Sequence, residues 1–235
     1  EFYGLTDRGP NVDDPTVTKK VEPIPTFDPA IGKFKLVNGV AVLEQIIPLT
    51  DPSGLPYSGR VNSQASTGET IFDINGNVLP SDANGYDSEG LVALPDGTFW
   101  VSDEYGPFMT HFTNKGRAIE RLSPFDGSLP AELKYRIANK GMEGLTLTPD
   151  GKTLVGVMQS ALQQPDLGTT NAKNLTPVRI VTVDLASRKT REFVFLLDNP
   201  KTTGTAISEI TALSSTTFLL DQRDGSYVGP GAYKK

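Results

Sequence analysis

The sequence predicts an all-β fold, a β-propeller with about four blades' worth of strands, on four observations. Glycine and proline number 23 and 18 among 235 residues. Turn dipeptides (Asn75-Gly76, Asp96-Gly97, Asp150-Gly151) fall between short alternating runs, the punctuation of β-hairpins. Amphipathic helix patterns are scarce. Finally, one hairpin repeats: "EGLVALPDGTFWVSDE" at 89–104 aligns with "EGLTLTPDGKTLVGVMQ" at 143–159. Both open Glu-Gly-Leu, both place Asp-Gly after the same interval, and one extra residue near Lys152 brings Gln159 onto Glu104.

Along the chain, "FYGLTDRGP" at 2–10 matches "FWVSDEYGP" at 99–107 without a gap, pairing Asp7 with Glu104, Gly9 with Gly106 and Pro10 with Pro107. The opening reads as half a strand running into a loop, so residue 1 is not expected to start a domain. Residues 11–70, with the proline-broken "DDPTVTKKVEPIPTFDPAIGKFKL", predict a long insertion packed on one face. "DINGNV" at 73–78 predicts a hairpin turn; a calcium loop would need a glycine after the third ligand and a terminal glutamate. "AELKYRI" at 131–137 fits a turn or two of helix or a strand equally. "TPVRIVTVDLASRKTREFVFLLD" at 176–198 alternates with period two around Ala186-Ser187 and predicts an outer hairpin. A third copy, "EITALSSTTFLLDQRDG" at 209–225, keeps the Glu, two apolar strands and a polar end. The repeated glutamates stand 54 residues apart from Glu89 to Glu143 and 66 from Glu143 to Glu209, which suits blades of roughly 40–50 residues with long loops.

Composition narrows the functions. Acidic residues number 28 against 22 basic, a formal charge of −6, which argues against a broad nucleic-acid or anionic-membrane surface. With no cysteine there is no disulfide, thiolate nucleophile or Cys-based zinc site. "FVFLL" and "RIVTVDLA" fall well short of the ~20 residues of a membrane span. His111 is the lone histidine, and Ser88 in "GYDSEG" lacks the G-x-S-x-G elbow of a serine hydrolase. A packing or surface role is therefore expected for His111. Phe99 and Trp100 are expected in the core between blades.

The acids gather in two patterns. Innermost propeller strands converge on a channel, so Glu89, Glu143 and Glu209 predict a ring of carboxylates. Such a ring needs protons, basic partners or a hard cation, and oxygen-only ligands suit Ca²⁺ or another divalent metal. The competing reading has each Glu accepting backbone hydrogen bonds from the neighbouring blade, locking blade to blade. The second pattern collects Asp103-Glu104, Asp7-Arg8 and Asp221-Gln222-Arg223 at matching blade ends. There carboxylates could hold a metal while Arg8 and Arg223 grip a phosphoryl or carboxylate group; ordinary arginine-to-acid pairing between blades is the alternative.

In this order, "FYGLTDRGPN", "IIPLTDPSGLPYSGRVN", "GYDSEGLVALPDGTFWVSDEYGP", "GMEGLTLTPDGKTLVGVMQSAL" and "AISEITAL…FLLDQRDG" closely resemble the phytase-like family, described as having esterase-like activity of phytase. The resemblance runs through essentially the whole chain. It implies a propeller of about six blades, secreted or periplasmic, with metal-dependent phosphoester hydrolase activity on a small phosphorylated substrate or another small ester. It implies metal ligands at Asp7, Asp87, Glu89, Asp103, Glu104, Glu143 and Glu209, and a catalytic set of Glu89, Glu104, Glu143, Arg8 and Arg223. Gln222 stands where the family often has an acid. Family domains extend further at both ends, so blade sequence is expected before residue 1 and after residue 235, with the rest of the propeller as a partner segment or chain. Two further classes stay open: a non-catalytic extracellular propeller stabilised by calcium, and a lactonase- or esterase-type propeller hydrolase.

Overall fold

The computed structural model describes residues 1–14, 19–226 and 229–235. In chain order the strands are β1 (Phe2–Leu5), β2 (Val12–Asp14), β3 (Lys19–Val21), β4 (Ala30–Val37), β5 (Val40–Pro48) and β6 (Ile71–Phe72). Then follow β7 (Ser88–Ala93), β8 (Phe99–Asp103), β9 (Met109–Phe112), β10 (Ala118–Leu122), β11 (Met142–Leu147) and β12 (Thr153–Met158). The last are β13 (Pro177–Asp184), β14 (Thr190–Leu196), β15 (Ala206–Ala212) and β16 (Phe218–Arg223). The chain is all-β; its helical pieces are short, and "AELKY" at Ala131–Tyr135 is one 3₁₀ turn. Among the described residues no helix is long and apolar enough to cross a membrane.

Among the described residues the strands form several sheets, and none of these is closed. β7 to β10 make one antiparallel meander and β11 to β14 another, while β15 pairs with β16 alone. β1 continues into β4 and β5, and β2, β3 and β6 form a small separate sheet. The two Pro-Asp-Gly turns work alike. Asp96 Oδ1 accepts from the Thr98 N–H and hydroxyl, and Gly97 takes φ +86°. Asp150 Oδ1 likewise accepts from the Lys152 N–H and the Thr148 hydroxyl, with Gly151 at φ +71°. The side chain closes the turn, and glycine takes a backbone conformation that costs other residues free energy. The extra residue of the second copy falls inside this turn, which leaves the strands in the same register.

Apolar layers lie between consecutive sheets. Ile31, Ile47, Tyr57, Tyr86, Phe99, Val101 and Phe112 form one. Trp100, Met109, Leu133, Met142, Val155, Val157 and Val181 belong to the next. Strand β8 is buried along its whole length because sheets cover both its faces. The stretch 11–70, expected as an insertion, divides. Ala30–Pro48 is a hairpin that extends the sheet begun by β1, in the register Phe2 to Phe34 and Leu5 to Ile31. Neither strand alternates between buried and exposed residues, and the prolines of 22–29 stand between the hairpin and β1 in the chain. Residues 15–18 lie outside the described residues. The turn at 73–78 forms on Asp73, whose Oδ1 accepts from the Asn75 and Asn77 amides.

The first strands of three sheets, β7, β11 and β15, stand side by side, and the glycines after Glu89 and Glu143 set their spacing. A Cβ built on Gly90 would stand 2.5 Å from the Leu145 amide nitrogen, and one on Gly144 would stand 2.7 Å from that of Ile210. Only hydrogen fits there.

Candidate functional site

Each of these three strands carries a bulge at the same level. The register slips between Ser88 and Leu91, between Met142 and Gly144, and between Ile207 and Glu209. A bulge inserts one residue and re-aims its side chain. Glu143 is the inserted residue of β11, and Glu89 lies in the bulge of β7. In β15 the inserted residue is Ser208, and Glu209 pairs with Asp221 as Gly144 pairs with Val157. The ring expected of Glu89, Glu143 and Glu209 therefore has Ser208 in its third place. Glu209 sits one position on, at the glycine's place, against the backbone of the neighbouring strand. There its Oε1 accepts from the Ile210 N–H at 2.8 Å. Burial raises its carboxyl, while hydrogen bonds from the Ile210 and Leu145 amides hold it down. Of these two amides Ile210 belongs to Glu209's own strand, and only Leu145, in β11, lies on the neighbouring sheet.

Asp87, Glu89 and Glu104 converge. Each turns one carboxylate oxygen so that the three lie within 4.8 Å of one another. Asp87 and Glu104 are buried, and the Glu104 N–H donates to the Asp87 carbonyl. Burial, followed by the charges of Asp87, Glu143, Glu104 and Asp7, pushes the Glu89 carboxyl up to about 11. Burial, and then Asp87 and Glu143, drives Glu104 well above the carboxylate range. Asp87 is also raised by burial, against the pull of Arg8. Carboxylates so placed need protons between them or a cation among them.

A hard cation fits the donor set. Oxygens bound to one calcium at 2.3–2.6 Å can stand up to roughly 5 Å apart, which the 4.8 Å span satisfies. Two buried carboxylate oxygens nearby, Asp87 Oδ2 and Asp103 Oδ2, accept no hydrogen bond, although Asp87 Oδ2 faces Arg8 Nη1 at 3.3 Å. Such orphans are costly unless something positive meets them.

Beside the cluster runs a chain of donors and acceptors that links sheet to sheet. Glu104, Gln159 and Arg223 hold equivalent places, one residue past the partners of Ser88, Met142 and Ile207. Gln159 Nε2 donates to Glu104 Oε1 at 3.1 Å and to Glu143 Oε2 at 2.6 Å. Arg223 Nη2 lies 3.5 Å from Glu143 Oε1, and its Nε donates to Ser208 Oγ at 2.8 Å. Burial lifts the Glu143 carboxyl to about 7, with Gln159 and Arg223 pulling the other way. Glu143 thus belongs first to this network and is not in the three-carboxylate cluster.

The other sequence-selected residues take different stations. Asp103 is fully buried and its Oδ1 accepts from the Asp87 and Tyr105 amides. Its carboxyl is pushed to about 7 by burial against those bonds and the charge of Arg121. Asp7 is exposed and its Oδ1 caps the Gly9 N–H. Arg8, expected to grip a ligand, is 4% exposed and already engaged. Its Nη1 donates to the Tyr105 hydroxyl at 3.0 Å, and it meets Asp87 at 3.3 Å and Glu69 at 3.6 Å. Its guanidinium is committed to carboxylates of this chain, whereas that of Arg223 is 40% exposed. His111 stacks on Trp100 at 4.6 Å, with Nε2 2.9 Å from Thr98 Oγ1, in the packing role expected.

Glu22, Glu69 and Lys140 escaped the sequence reading. Glu22 is buried near Arg8, with its carboxyl pushed to about 7, chiefly by burial. It and Glu69 come from the stretch read as an insertion, where no spacing marks them. Lys140 stands three residues before Glu143 in "NKGMEGL", and only that proximity to the repeat pointed to it.

A family model described as phytase-like, esterase-like activity of phytase, matches residues 1–235. A curated protein of Arthroderma benhamiae, named an uncharacterized secreted protein, is 30% identical over 228 residues, a match covering 76% of this chain and 44% of that protein. The chain spans less than half the length of that relative. Among solved structures, a protein from Lactobacillus plantarum superposes with a TM-score of 0.40 at 10% identity, over 88% of this chain and 63% of that one. Kuenenia stuttgartiensis hydrazine synthase gives 0.35 at 12% identity, over 88% and 58%. Likenesses this loose carry no argument.

Proposed function

Since the chain belongs to the phytase-like family, we propose that it is part of an extracytoplasmic β-propeller hydrolase that cleaves phosphoric esters with a divalent cation, calcium, held by Asp87, Glu89 and Glu104. The observation that carries the reading is the convergence of one oxygen from each of those three carboxylates, an oxygen-only set, within 4.8 Å. Bound there, the cation supplies positive charge to a phosphoryl group and acidifies a water. Glu143, with a carboxyl near 7, is the residue suited to take a proton at neutral pH. Arg223 is the cation with surface to spare for a phosphoryl oxygen. Arg8 holds Asp87 in place instead of touching substrate. The side-by-side first strands and stacked sheets support the propeller, with exposed Leu36, Val40 and Ile46 on one flank and Phe193, Val194 and Leu196 on the other. We assign these flanks to contact with the remainder of the same propeller. The secreted relative supports the location.

One observation favours a second reading, a non-catalytic propeller fastened by calcium. The same polar residues join consecutive sheets, Arg8 to Asp87, Gln159 to Glu104 and Arg223 to Glu143. Phosphate release from p-nitrophenyl phosphate and phytate, measured for the full-length protein with calcium and then chelator, separates the two. Calcium-dependent turnover is expected. No turnover with any divalent metal, together with a melting temperature that falls on chelation, overturns the hydrolase reading in favour of the second.

A further inference from the structure

The Gln159 amide has a direction. Its Oε1 accepts from Lys140 Nζ at 2.5 Å, while its Nε2 serves Glu104 Oε1 and Glu143 Oε2 at 3.1 and 2.6 Å. An ammonium has only protons to give, and an ionised carboxylate oxygen only lone pairs to offer. With Glu104 and Glu143 ionised, as a bound cation requires, turning the amide over would set its oxygen against two carboxylates and its NH₂ against an ammonium. Among the described residues Lys140 is the one donor on Oε1, and so the group that holds this orientation.

We infer that Lys140 is a positioning residue: by fixing the Gln159 amide it fixes the Glu104 carboxylate against Asp87 and Glu89, and so sets the cation affinity of that cluster. The inference rests on the reading of the cluster as a cation site. Lys140 is no ligand, since an ammonium cannot coordinate a cation, and its influence on the cluster passes through Gln159. The sign of the effect is diagnostic. By charge alone, removing a nearby ammonium strengthens binding of a cation, because a repulsion is lost. By positioning, removing it weakens binding, because the amide is freed and Glu104 loses its fixed donor. Partners one step behind metal ligands typically change affinity by about 10–100-fold when removed.

The test is calcium titration by calorimetry of the full-length protein as wild type, Lys140→Met and Lys140→Arg. Alongside it, melting temperature in EDTA and proton exchange of the Gln159 side-chain NH₂ by ¹⁵N NMR in EDTA are measured. Lys140→Met is expected to lose about 10–100-fold in calcium affinity and to show faster NH₂ exchange. Lys140→Arg, which still donates to Oε1, is expected to recover most of both. Binding in Lys140→Met equal to or tighter than wild type overturns the inference while leaving the cation site standing. Equal weakening in both variants, in step with an equal loss of melting temperature in EDTA, overturns it in favour of general support of the fold. A wild type that binds no calcium overturns the cluster reading, and the inference with it.

Discussion

Raising the pH of the metal-free protein from 5 to 7 is expected to destabilise it, the reverse of what ordinary surface carboxylates do. Glu143 shows why. In the unfolded chain its carboxyl ionises near 4.5, whereas in the folded chain burial holds it to about 7. Between those values the folded state binds more protons, so its stability is full below 4.5 and drains away as pH rises towards 7. At 1.36 kcal/mol per pH unit, Glu143 alone is worth on the order of 3 kcal/mol, or roughly 6–12 °C in melting temperature for a domain of this size. Asp103, also held to about 7, slopes the same way. Glu89, held to about 11, continues the decline above neutrality. The turn aspartates Asp73, Asp96, Asp150 and Asp184 are shifted downward, so they stay ionised throughout and add no slope. His111, lowered by burial from 6.5, opposes with a single proton. Calcium must displace the protons it replaces, so its stabilisation grows as pH rises. Calorimetric melting in EDTA and in calcium at pH 5, 6, 7 and 8, at fixed ionic strength, reads both slopes. A melting temperature in EDTA that is flat or rising from pH 5 to 7 refutes the claim that these carboxyls are held as acids.

Gly144→Ala puts a methyl 2.7 Å from the Ile210 nitrogen and 2.9 Å from the Glu209 Cα; overpacking of this kind costs about 1–3 kcal/mol, read as a lower urea midpoint. Glu209→Gln is expected to leave calcium affinity within a few-fold of wild type, whereas Glu89→Gln abolishes most of it, and isothermal titration of the pair distinguishes the observed register from the sequence alignment. Arg8→Met strips Asp87 of its buried counter-charge. That loss is expected to cost about 3–5 kcal/mol in chelator, partly restored by calcium, as followed by denaturant unfolding.

The hairpins were legible because their signals are local. Pro-Asp-Gly fixes a turn with one carboxylate and one glycine, and period-two alternation marks the strands on either side. The register of the third copy was not legible, because Ser208-Glu209 carries the bulge one residue earlier than Glu143-Gly144 does. An alignment on the shared letter Glu therefore put Glu209 where Ser208 stands. Glu89, Glu104 and Asp87 were identifiable from their motifs, but whether Glu143 joined them depended on Gln159, a side chain that meets it only in three dimensions. The engagement of Arg8 was hidden for a like reason, since its partner Glu69 comes from a segment with no repeat to announce it. Long-range pairing of buried charge leaves no periodic trace in a sequence.

The shared station of Glu104, Gln159 and Arg223 has an electrical consequence. With a cation holding Glu104 ionised, three strands of one shape end in an anion, a neutral amide and a cation, so the formal charge climbs in single steps from one sheet to the next. The repeat keeps the backbone constant while the side chains lay a lateral dipole across it. An ion resting there experiences a gradient instead of a symmetric well. Such a gradient would favour one orientation of a ligand that carries charge at a single end.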